Sequence, residues 1–484
     1  MTTTPLLTAA ALRAAGRQPP LPFRIELADG RELTMCRLLR VLPAKRLVGE
    51  ATLDGRRVLA KLFIGRRSES RWQQERRGLE ALAGSGVPTP ALLAAVAMVA
   101  GGHALMTDFL DPAESLAEAW ARAFGRAAGD AEAMALLEPA LAMLGRLHSA
   151  GLVQEDLHLG NFLRHEDKLF LLDGDAVRVV SPGMPLPAER AGANLAVFLA
   201  QLPPAWDGWA AALLVAYGEA FRGQLPHLAS LEEEIVRVRN WRLRDFLTKT
   251  VRDCSLFAVE QTTTRFSAVW REAARQLAPV LASPDDAIDS GCVFKDGGTT
   301  TVARVRVNGR ELLIKRYNLK SIGHALGRAW RPSRAWHSWQ AAHRLRFLGM
   351  ATPAPLALIE ERFGPLRRRA WLISDYCPGP NLLHHLAAER EPPTAEAQAI
   401  TILFEALHRQ RISHGDLKAT NLLWDAGRVL LIDLDAVVQH RSQRSYARAW
   451  RRDRARLLRN WPADSPLQRW LDRSLPAARE SPGF

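Results

Sequence analysis

Cysteine is scarce in this sequence: the 484 residues include only Cys36, Cys254, Cys292 and Cys377. The four lie far apart, without the closely paired spacing that holds a structural zinc ion. They are also too few for the disulfide framework of a small secreted domain. The sequence therefore argues against both classes of protein and favours a reducing compartment.

Long apolar runs are missing as well. The most apolar stretch, residues 90–106, is shorter than the roughly 20 residues that a membrane-spanning helix needs, and Gly101-Gly102-His103 interrupts it. Residues 1–20 lack the basic flank and apolar core of a signal peptide. We therefore predict a cytoplasmic protein in which residues 90–106 form two strands and a turn.

Acidic residues are outnumbered, because 65 lysines and arginines face 51 aspartates and glutamates and leave a net charge of +14. Eight arginines and one acid lie between Arg441 and Asn460, and a second basic segment containing two tryptophans runs from Lys315 to Trp336. No recognised nucleic-acid module accompanies this charge, so we predict no nucleic-acid partner. Three interpretations fit: solvated helix faces, contact with an anionic membrane surface, or a polyphosphorylated substrate.

One acid-and-amide pattern is present twice. An aspartate is followed five residues later by an asparagine and twelve residues further by a second aspartate: Asp156, Asn161 and Asp173, then Asp416, Asn421 and Asp433. In both copies the second aspartate ends an apolar run, Leu-Leu-Asp-Gly-Asp or Leu-Ile-Asp-Leu-Asp. Every position is shifted by 260 residues between the copies, which indicates a duplicated domain.

Phosphoryl transfer from ATP requires this combination of side chains. Asp156 and Asp416 are predicted to accept a hydrogen bond from the acceptor hydroxyl as catalytic residues. The predicted metal ligands are the amide and the second acid of each copy: Asn161, Asp173, Asn421 and Asp433. Because positioning and electrostatics dominate this chemistry, the sequence predicts two kinase-like domains that bind ATP.

A lysine at the end of an apolar strand precedes each copy. Lys61 lies 95 residues before Asp156, and Lys315 lies 101 residues before Asp416. Each lysine is predicted to contact the α- and β-phosphates of the nucleotide. Glu75 occupies the apolar side of a helix predicted over residues 69–83, and we expect it to pair with Lys61.

The second half departs from the first at the helix that follows its lysine. No acid lies between Glu311 and Glu360, and aligning the two helices places Ser338 opposite Glu75. Either another group holds Lys315, or this half binds nucleotide differently. Asp435, like Asp175 in the first half, stands where kinases usually have glycine, and two roles remain open for each: binding a further ion or capping a turn.

Two further groups in the second half are predicted to contact phosphates. Lys418 follows the catalytic aspartate by two residues and is predicted to contact the transferred phosphoryl group, whereas the first half has His158 there. Neither half has a Gly-x-Gly-x-x-Gly loop. Gly297 and Gly298 lie in a turn whose backbone amides are predicted to cover the nucleotide phosphates.

These features predict an α+β protein made of two tandem protein-kinase-like bilobal domains, each with a small antiparallel β-sheet lobe and a mainly helical lobe. Residues 1–22 are expected to be a flexible arm, and residues 23–276 the first domain. A polar, proline-containing stretch predicts a linker at 277–290. Residues 291–484 are expected to form the second domain, with a short helical lobe and a basic C-terminal segment.

Both halves resemble the bacterial lipopolysaccharide core kinases of the Kdo and heptose type, within the protein-kinase-like superfamily. The resemblance covers roughly residues 25 to 180 and 292 to 440. The segments that carry it are Gly-Val-Pro-Thr-Pro at 86–90, Gln-Glu-Asp-Leu-His-Leu-Gly-Asn-Phe-Leu at 154–163, Leu-Leu-Asp-Gly-Asp-Ala-Val at 171–177, Trp-Gln-Ala-Ala-His-Arg-Leu at 339–345, His-Gly-Asp-Leu-Lys-Ala-Thr-Asn-Leu-Leu at 414–423 and Leu-Ile-Asp-Leu-Asp-Ala-Val at 431–437.

The resemblance implies ATP- and Mg²⁺-dependent phosphorylation of a sugar hydroxyl of the lipopolysaccharide inner core, at the cytoplasmic face of the inner membrane. The expected partners are core oligosaccharide and, peripherally, the anionic membrane surface. Two alternatives remain open. One is a kinase of proteins or of small molecules such as aminoglycosides, and the other is a nucleotide-binding pseudokinase scaffold for envelope assembly.

Overall fold

The computed structural model describes residues 4–123, 128–318, 332–364 and 366–477. The chain divides into two compact units, Met1–Arg239 and Asn240–Phe484. Each unit combines an antiparallel sheet with a mainly helical part. The α+β class and the bilobal organisation of each half are therefore as the sequence predicts.

The first unit opens with a six-stranded antiparallel sheet in the spatial order β1-β2-β3-β4-β6-β5. Its strands are β1 Phe23–Glu26, β2 Glu32–Leu42, β3 Arg46–Leu53, β4 Arg56–Phe63, β5 Leu92–Ala97 and β6 His103–Asp108. Buried residues alternate strictly along β3, so one face of the sheet covers an apolar core. The register pairs Lys61 of β4 with Val48 on one side and Leu105 on the other.

The segment predicted as a flexible arm instead packs on this sheet. Helix α1, Ala9–Ala14, is capped by the hydroxyl of Thr8, which accepts a hydrogen bond from the Ala11 amide at 3.1 Å. Ala9 and Leu12 are fully buried in the core of the sheet. Burying a leucine side chain contributes about 1.5–3 kcal/mol, which offsets part of the entropy lost on ordering the segment.

Helix α2, Ser68–Gly84, follows the sheet lysine and matches the predicted helix. Its buried face carries Glu75, Leu79 and Leu82, spaced three to four residues apart. The chain leaves the helix through Gly86, whose φ of +73° is a left-handed conformation that glycine adopts without strain.

The rest of the first unit is mainly helical. The helices are α3 Leu116–Arg122, α4 Ala131–Ser149, α5 Ala188–Leu199, α6 Ala210–Gly218 and α7 Leu228–Lys249, the last of which contains the unit boundary. Five short strands form two small sheets beside them: β7 Ala113–Ser115, β8 Leu152–Gln154, β9 Phe162–His165, β10 Lys168–Leu171 and β11 Val177–Val179. A single apolar core runs through this part, centred on the buried faces of α4 and α5.

The second unit begins earlier than its predicted boundary. Strands β12 Phe257–Gln261 and β13 Arg265–Trp270 belong to its seven-stranded sheet, because β13 pairs with a later strand of that sheet from Arg265↔Glu361 to Val269↔Ala357. The predicted linker 277–290 is largely helical, in α8 Ala274–Ala282 and α9 Pro284–Asp289. Leu277, Val280 and Ile288 are buried against the sheet, so apolar spacing outweighs the proline and polar residues that suggested a linker.

The sheet of the second unit has the order β12-β13-β17-β18-β16-β15-β14. Its remaining strands are β14 Cys292–Asp296, β15 Thr300–Val307, β16 Arg310–Tyr317, β17 Pro355–Phe363 and β18 Leu366–Asp375. Helix α10, Arg334–Phe347, packs on it and begins at Ser333, whose hydroxyl caps the Trp336 amide. Most of the basic segment predicted from Lys315 to Trp336 lies outside the described residues.

A smaller helical part completes the second unit, as the short remaining length predicts. It contains α11 Leu382–His385, α12 Thr394–Arg409, α13 Gln443–Leu458 and α14 Pro466–Ser474, with short strands β19 Ile412–Ser413, β20 Leu422–Asp425, β21 Arg428–Leu431 and β22 Val438–Gln439. Its apolar core includes Leu417 and Leu422, which directly follow Asp416 and Asn421 in the second copy of the repeated pattern. Within the described ranges, none of the helices has the length and hydropathy required to traverse a bilayer.

Candidate active site

Three predicted residues of the first unit meet in one charged cluster. The Nζ of Lys61 lies 2.5 Å from Oε1 of Glu75 and 2.6 Å from Oδ1 of Asp173. The three come from strand β4, helix α2 and the segment after strand β10. Glu75 is fully buried and the Lys61 side chain is only 8% exposed, so the lysine is held in one orientation.

Hydrogen bonds join the segment that contains Asp156 and Asn161 to this cluster. The side-chain amide of Gln154 donates to the carbonyl of Asp173 at 2.6 Å, and its oxygen accepts from the Asp156 amide at 3.1 Å. The side chain of Asn161 donates to the Asp156 carbonyl at 2.8 Å. The Leu172 amide donates to the Asn161 carbonyl at 2.8 Å. Asp156, Asn161 and Asp173 therefore lie in one bonded framework, and Asp156 keeps an exposed carboxylate.

The electrostatics of the cluster favour an ionised lysine. Burial alone would lower the pKa of Lys61, but the charges of Glu75 and Asp173 outweigh burial and raise it. Burial also opposes ionisation of Asp173, and here the charge and hydrogen bond of Lys61 prevail, so the pKa of Asp173 is lowered. A cation beside a carboxylate is thus available where phosphates and a metal would bind.

Two glycines set the distance between helix α2 and the segment that carries Asp173. A Cβ built on Gly78 would lie 1.8 Å from the Gly174 carbonyl oxygen, and one on Gly174 would lie 2.5 Å from the Glu75 carbonyl oxygen. Neither position has room for a side chain. This close approach also lets the Gly174 amide donate to Oε1 of Glu75 at 3.2 Å.

We expect Gly78→Ala to destabilise the first unit by about 1–3 kcal/mol, because the added methyl group must push helix α2 away from residue 174. Gly84→Ala is the matched control, since that glycine lies in the same helix and a Cβ there meets nothing within 4 Å. Thermal unfolding of the two variants and the wild type measures the difference. Equal melting temperatures for the two variants would contradict the close approach.

The second unit holds its lysine with a different pair of carboxylates. The Nζ of Lys315 lies 2.5 Å from Oδ1 of Asp433 and 2.9 Å from Oδ1 of Asp435. Ser338 of helix α10 donates to the same Asp435 oxygen at 2.7 Å. Of the alternatives left open by the sequence, another group does hold Lys315. Asp175 of the first unit instead pairs with Arg46 at 3.1 Å.

Asp416 has two cationic neighbours. Lys418 contacts its Oδ2 at 2.9 Å, and Arg456 of helix α13 contacts its Oδ1 at 2.6 Å. Burial opposes ionisation of Asp416, but the hydrogen bond and charge of Lys418 and the charge of Arg456 lower its pKa. The side chain of Asn421 donates to the Asp416 carbonyl at 2.9 Å, as Asn161 does in the first unit. Lys418, which is predicted to contact the transferred phosphoryl group, therefore lies beside Asp416, and Arg456 is a second cation there.

A buried acid anchors the segment that precedes Asp416. Asp453 of α13, 2% exposed, accepts from the His414 amide at 2.6 Å and from the Gly415 amide at 3.1 Å. Asn194 has the corresponding role in the first unit, where its side chain forms hydrogen bonds with both the amide and the carbonyl of Gln154. Both units thus fix the residues just before the predicted catalytic aspartate through a helix side chain.

Gly297 and Gly298 form the turn between β14 and β15. The sheet register places this turn near the lysine, because Thr300 pairs with Tyr317 and Val302 pairs with Lys315. The side-chain amide of Asn318 donates to the Gly297 carbonyl at 3.1 Å. The turn therefore lies at the Lys315 end of the sheet, the place that the predicted phosphate-covering role requires.

An acid and an amide in each unit are the predicted oxygen ligands for a cation. The described residues contain no cluster of three or more His, Cys, Asp or Glu side chains suited to a metal ion. Each second aspartate adopts a left-handed backbone conformation, with φ of 61° at Asp173 and 59° at Asp433. Mg²⁺ commonly takes one or two protein ligands together with substrate phosphates and water, so Asn161 with Asp173, and Asn421 with Asp433, suit such an ion.

Sequence reasoning did not identify several partners of the predicted residues. Arg46 lies 3.4 Å from Glu75, Gln154 links Asp156 to Asp173, and Arg456 contacts Asp416. Arg46 and Arg456 belong to arginine-rich stretches in which nothing distinguishes one residue from the next. Gln154 did carry a signal, because it directly precedes Glu155-Asp156 at the position of His414 in the repeat.

Comparison with known proteins assigns this arrangement to a family. A family model described as the lipopolysaccharide kinase (Kdo/WaaP) family matches residues 58–180 and 285–472, which together exceed half of the chain. The chain belongs to this lipopolysaccharide kinase family. The two matched regions contain Lys61 with Asp173 and Lys315 with Asp433. As a Kdo/WaaP family member, the protein is an ATP-dependent phosphotransferase with an alcohol group as acceptor.

Individual known proteins match the chain at low sequence identity. The chain is 25% identical over 272 residues to the RIO-type serine/threonine-protein kinase Rio1 of Haloferax volcanii, a match that covers 51% of this chain and 89% of Rio1. A solved structure described as WaaP in complex with acyl carrier protein is 19% identical, covers 43% of this chain and 86% of that one, and has a TM-score of 0.30.

Proposed function

We propose that the protein transfers the γ-phosphoryl group of ATP to a sugar hydroxyl of the lipopolysaccharide inner core. The observation that carries this proposal is the cluster of Lys61, Glu75 and Asp173, joined by Gln154 and Asn161 to the exposed carboxylate of Asp156. Family membership supplies the class of acceptor. The proposal of a sugar acceptor rests on family membership, whereas the proposal of phosphoryl transfer rests on the geometry of the cluster.

Each side chain has a defined task in this reaction. Lys61 would bind the α- and β-phosphates, and Glu75 keeps its ammonium group in position. Asp156 would accept a hydrogen bond from the attacking hydroxyl and orient its oxygen. Asn161 and Asp173 would hold Mg²⁺, which when bound neutralises phosphate charge. In the second unit Lys315, Asp416, Asn421 and Asp433 would take the same tasks, with Lys418 beside the transferred group.

The experiment that tests the proposal measures incorporation of phosphate from ATP into purified core oligosaccharide. We compare the wild type with Asp156→Ala and Asp416→Ala, each of which is expected to reduce transfer by its own unit about a hundredfold or more. Loss in only one variant assigns the reaction to that unit. Absence of incorporation by the wild type would contradict the proposal and favour a nucleotide-binding scaffold.

A protein hydroxyl is the second candidate acceptor. The match to Rio1, named as a serine/threonine-protein kinase, favours it because the match covers nearly all of that protein. Offering a protein substrate and core oligosaccharide in the same assay separates the two candidates. Transfer to serine or threonine with none to the oligosaccharide would establish the protein acceptor.

Attachment to an anionic membrane would bring the enzyme to its lipid-linked acceptor, and we propose a peripheral, cytoplasmic location. Helix α13 supports this, because Arg444, Arg448 and Arg452 are all exposed and recur every four residues on one side. Such a row of cations is attracted to acidic headgroups and weakened by salt.

We expect replacement of Arg444, Arg448 and Arg452 by alanine to reduce binding to phosphatidylglycerol-containing vesicles. The matched control replaces three exposed arginines of the first unit, Arg66, Arg67 and Arg71, and so removes the same net charge. Vesicle sedimentation at low and high salt gives the measurement. Equal losses in both triple variants, or binding that ignores ionic strength, would refute a role for α13.

A further inference from the structure

The two units differ in residue type at two positions near the sheet lysine. Phe63 and Glu75 of the first unit correspond to Tyr317 and Ser338 of the second, while Asp175 and Asp435 are the same residue in different surroundings. Phe63 and Tyr317 each follow their lysine by two residues in the sheet. The loss of a helix carboxylate in the second unit is thus accompanied by two added hydroxyl groups.

Those hydroxyl groups converge on Asp435. Its Oδ1 accepts hydrogen bonds from the Tyr317 hydroxyl at 2.7 Å, from Ser338 at 2.7 Å and from Lys315 at 2.9 Å. Its Oδ2 lies 2.5 Å from Arg334 at the start of α10. The Asp435 side chain is only 12% exposed, so its orientation is fixed from strand β16 and helix α10 at once.

The equivalent carboxylate of the first unit is arranged differently. Asp175 is 31% exposed and pairs with Arg46, while Lys61 is bound by Glu75 and Asp173. Each lysine therefore has two carboxylate partners. One partner in each unit is the predicted metal ligand, and the other comes from helix α2 in the first unit and from residue 435 in the second.

Protonation states in the second cluster are consistent with this arrangement. Burial raises the pKa of the Tyr317 hydroxyl well above its ordinary value, and the charge of Asp435 raises it further, so the hydroxyl remains a donor. Lys315 and Arg334 both face Asp435, so its carboxylate lies between two cations and pairs directly with the lysine.

We propose that Asp435 is the positioning residue for Lys315, replacing the missing helix glutamate, and that the second unit is thereby a nucleotide-binding site in its own right. Helix α10 remains coupled to the lysine through Ser338, which bonds the aspartate that bonds Lys315. This inference rests on the proposed phosphoryl transfer from ATP and assigns nucleotide binding to the unit that lacks the usual ion pair.

The test uses the full chain with Lys61→Ala, which removes the lysine of the first unit and leaves the second unit to be measured. Titration calorimetry with ATP and MgCl₂ gives the affinity. Adding Asp435→Asn, which keeps the shape of the side chain and removes its charge, is expected to weaken ATP binding about tenfold or more. Further addition of Ser338→Glu returns a carboxylate to the helix and is expected to restore most of the affinity.

The comparison variant is Asp175→Asn in a Lys315→Ala background, where we expect at most about a twofold change because Asp175 pairs with Arg46. If Asp435→Asn lowers the melting temperature of the free protein, Tyr317→Phe with Ser338→Ala provides a second measurement. That pair removes two hydrogen bonds to Asp435 and is expected to weaken ATP binding by about threefold or more.

The outcomes separate this inference from the proposed function. ATP binding unaffected by Asp435→Asn, or weakened but not restored by Ser338→Glu, would overturn the positioning role. Binding by Lys315→Ala protein and none by Lys61→Ala protein would show that the second unit is not a nucleotide site, while phosphoryl transfer by the first unit still stands. Absence of binding by the wild type would instead contradict the proposed function itself.

Discussion

Asp173→Ala is expected to lower phosphoryl transfer by the first unit about a thousandfold or more, because it removes the proposed metal ligand and a partner of Lys61 together. The Asp173 carboxylate is 2.6 Å from the lysine and is kept ionised by it. Without this carboxylate, Asn161 would remain as the only proposed protein ligand for Mg²⁺ in that unit. The phosphates would then lose both charge neutralisation and alignment.

The assay follows phosphate transfer from ATP in an Asp416→Ala background, so that the second unit does not contribute to the measured transfer. Asp167→Ala is the control, since that aspartate lies exposed in the turn between strands β9 and β10. Calorimetry with MgCl₂ and ATP adds a readout that is independent of turnover. Magnesium-dependent transfer that persists in Asp173→Ala at the rate of the control would show that the metal ligand has been misassigned.

Acidification from pH 6.5 to pH 4 is expected to destabilise the first unit by about 3 kcal/mol through one histidine. Burial lowers the pKa of His148 from 6.5 to about 4, although its hydrogen bond with Asn194 acts in the opposite direction. The unfolded chain therefore binds a proton in this pH range that the folded chain excludes. Stability is complete above pH 6.5 and falls as the pH approaches 4.

The neighbours of His148 determine which nitrogen carries the proton. Asn194 accepts from the Gln154 amide and donates to the Gln154 carbonyl, which fixes its Oδ1 as an acceptor toward Nε2 of His148, 3.0 Å away. Nδ1 then accepts from the Tyr217 hydroxyl at 2.9 Å. The neutral ring satisfies both neighbours, whereas a proton on Nδ1 would remove the acceptor for the Tyr217 hydroxyl.

His148→Gln keeps one donor and one acceptor but does not titrate. We expect the free energy of unfolding in urea, monitored by hydrogen exchange in peptides from α4, to depend less on pH in this variant than in the wild type. The free energies of unfolding of the two proteins should become similar at pH 4. An identical slope between pH 6.5 and pH 4 in both would contradict the assignment of this acid sensitivity to His148.

The repeated pattern was sufficient to predict much of the site. Its fixed spacing placed Asp156, Asn161 and Asp173 near one another, because an apolar strand of defined length separates the amide from the second acid. The inward face of the helix over 69–83 placed Glu75 beside Lys61, as the structure shows. The catalytic and metal-binding roles of these residues remain predictions until the experiments above are done.

Contacts between elements distant in sequence could not be predicted in the same way. The partner of Lys315 depends on three residues from β16, α10 and the segment after β21, and only the folded chain shows that they meet. The domain boundary was misplaced because a strand's membership of a sheet depends on its partner, and β13 pairs with β17 some 90 residues later. The N-terminal arm was misjudged because its few apolar residues pack only on the finished sheet.

The left-handed backbone at Asp173 and Asp433 has a consequence for how the protein can change. An L-amino acid in that conformation costs on the order of 1 kcal/mol relative to glycine. A mutation to glycine would relieve this strain, yet it would delete the carboxylate on which the proposed chemistry depends. Glycine would also leave Lys61 or Lys315 without one of its two carboxylate partners. Since losing one partner of a buried ion pair costs more than this backbone strain, we expect selection for heat resistance to retain both aspartates.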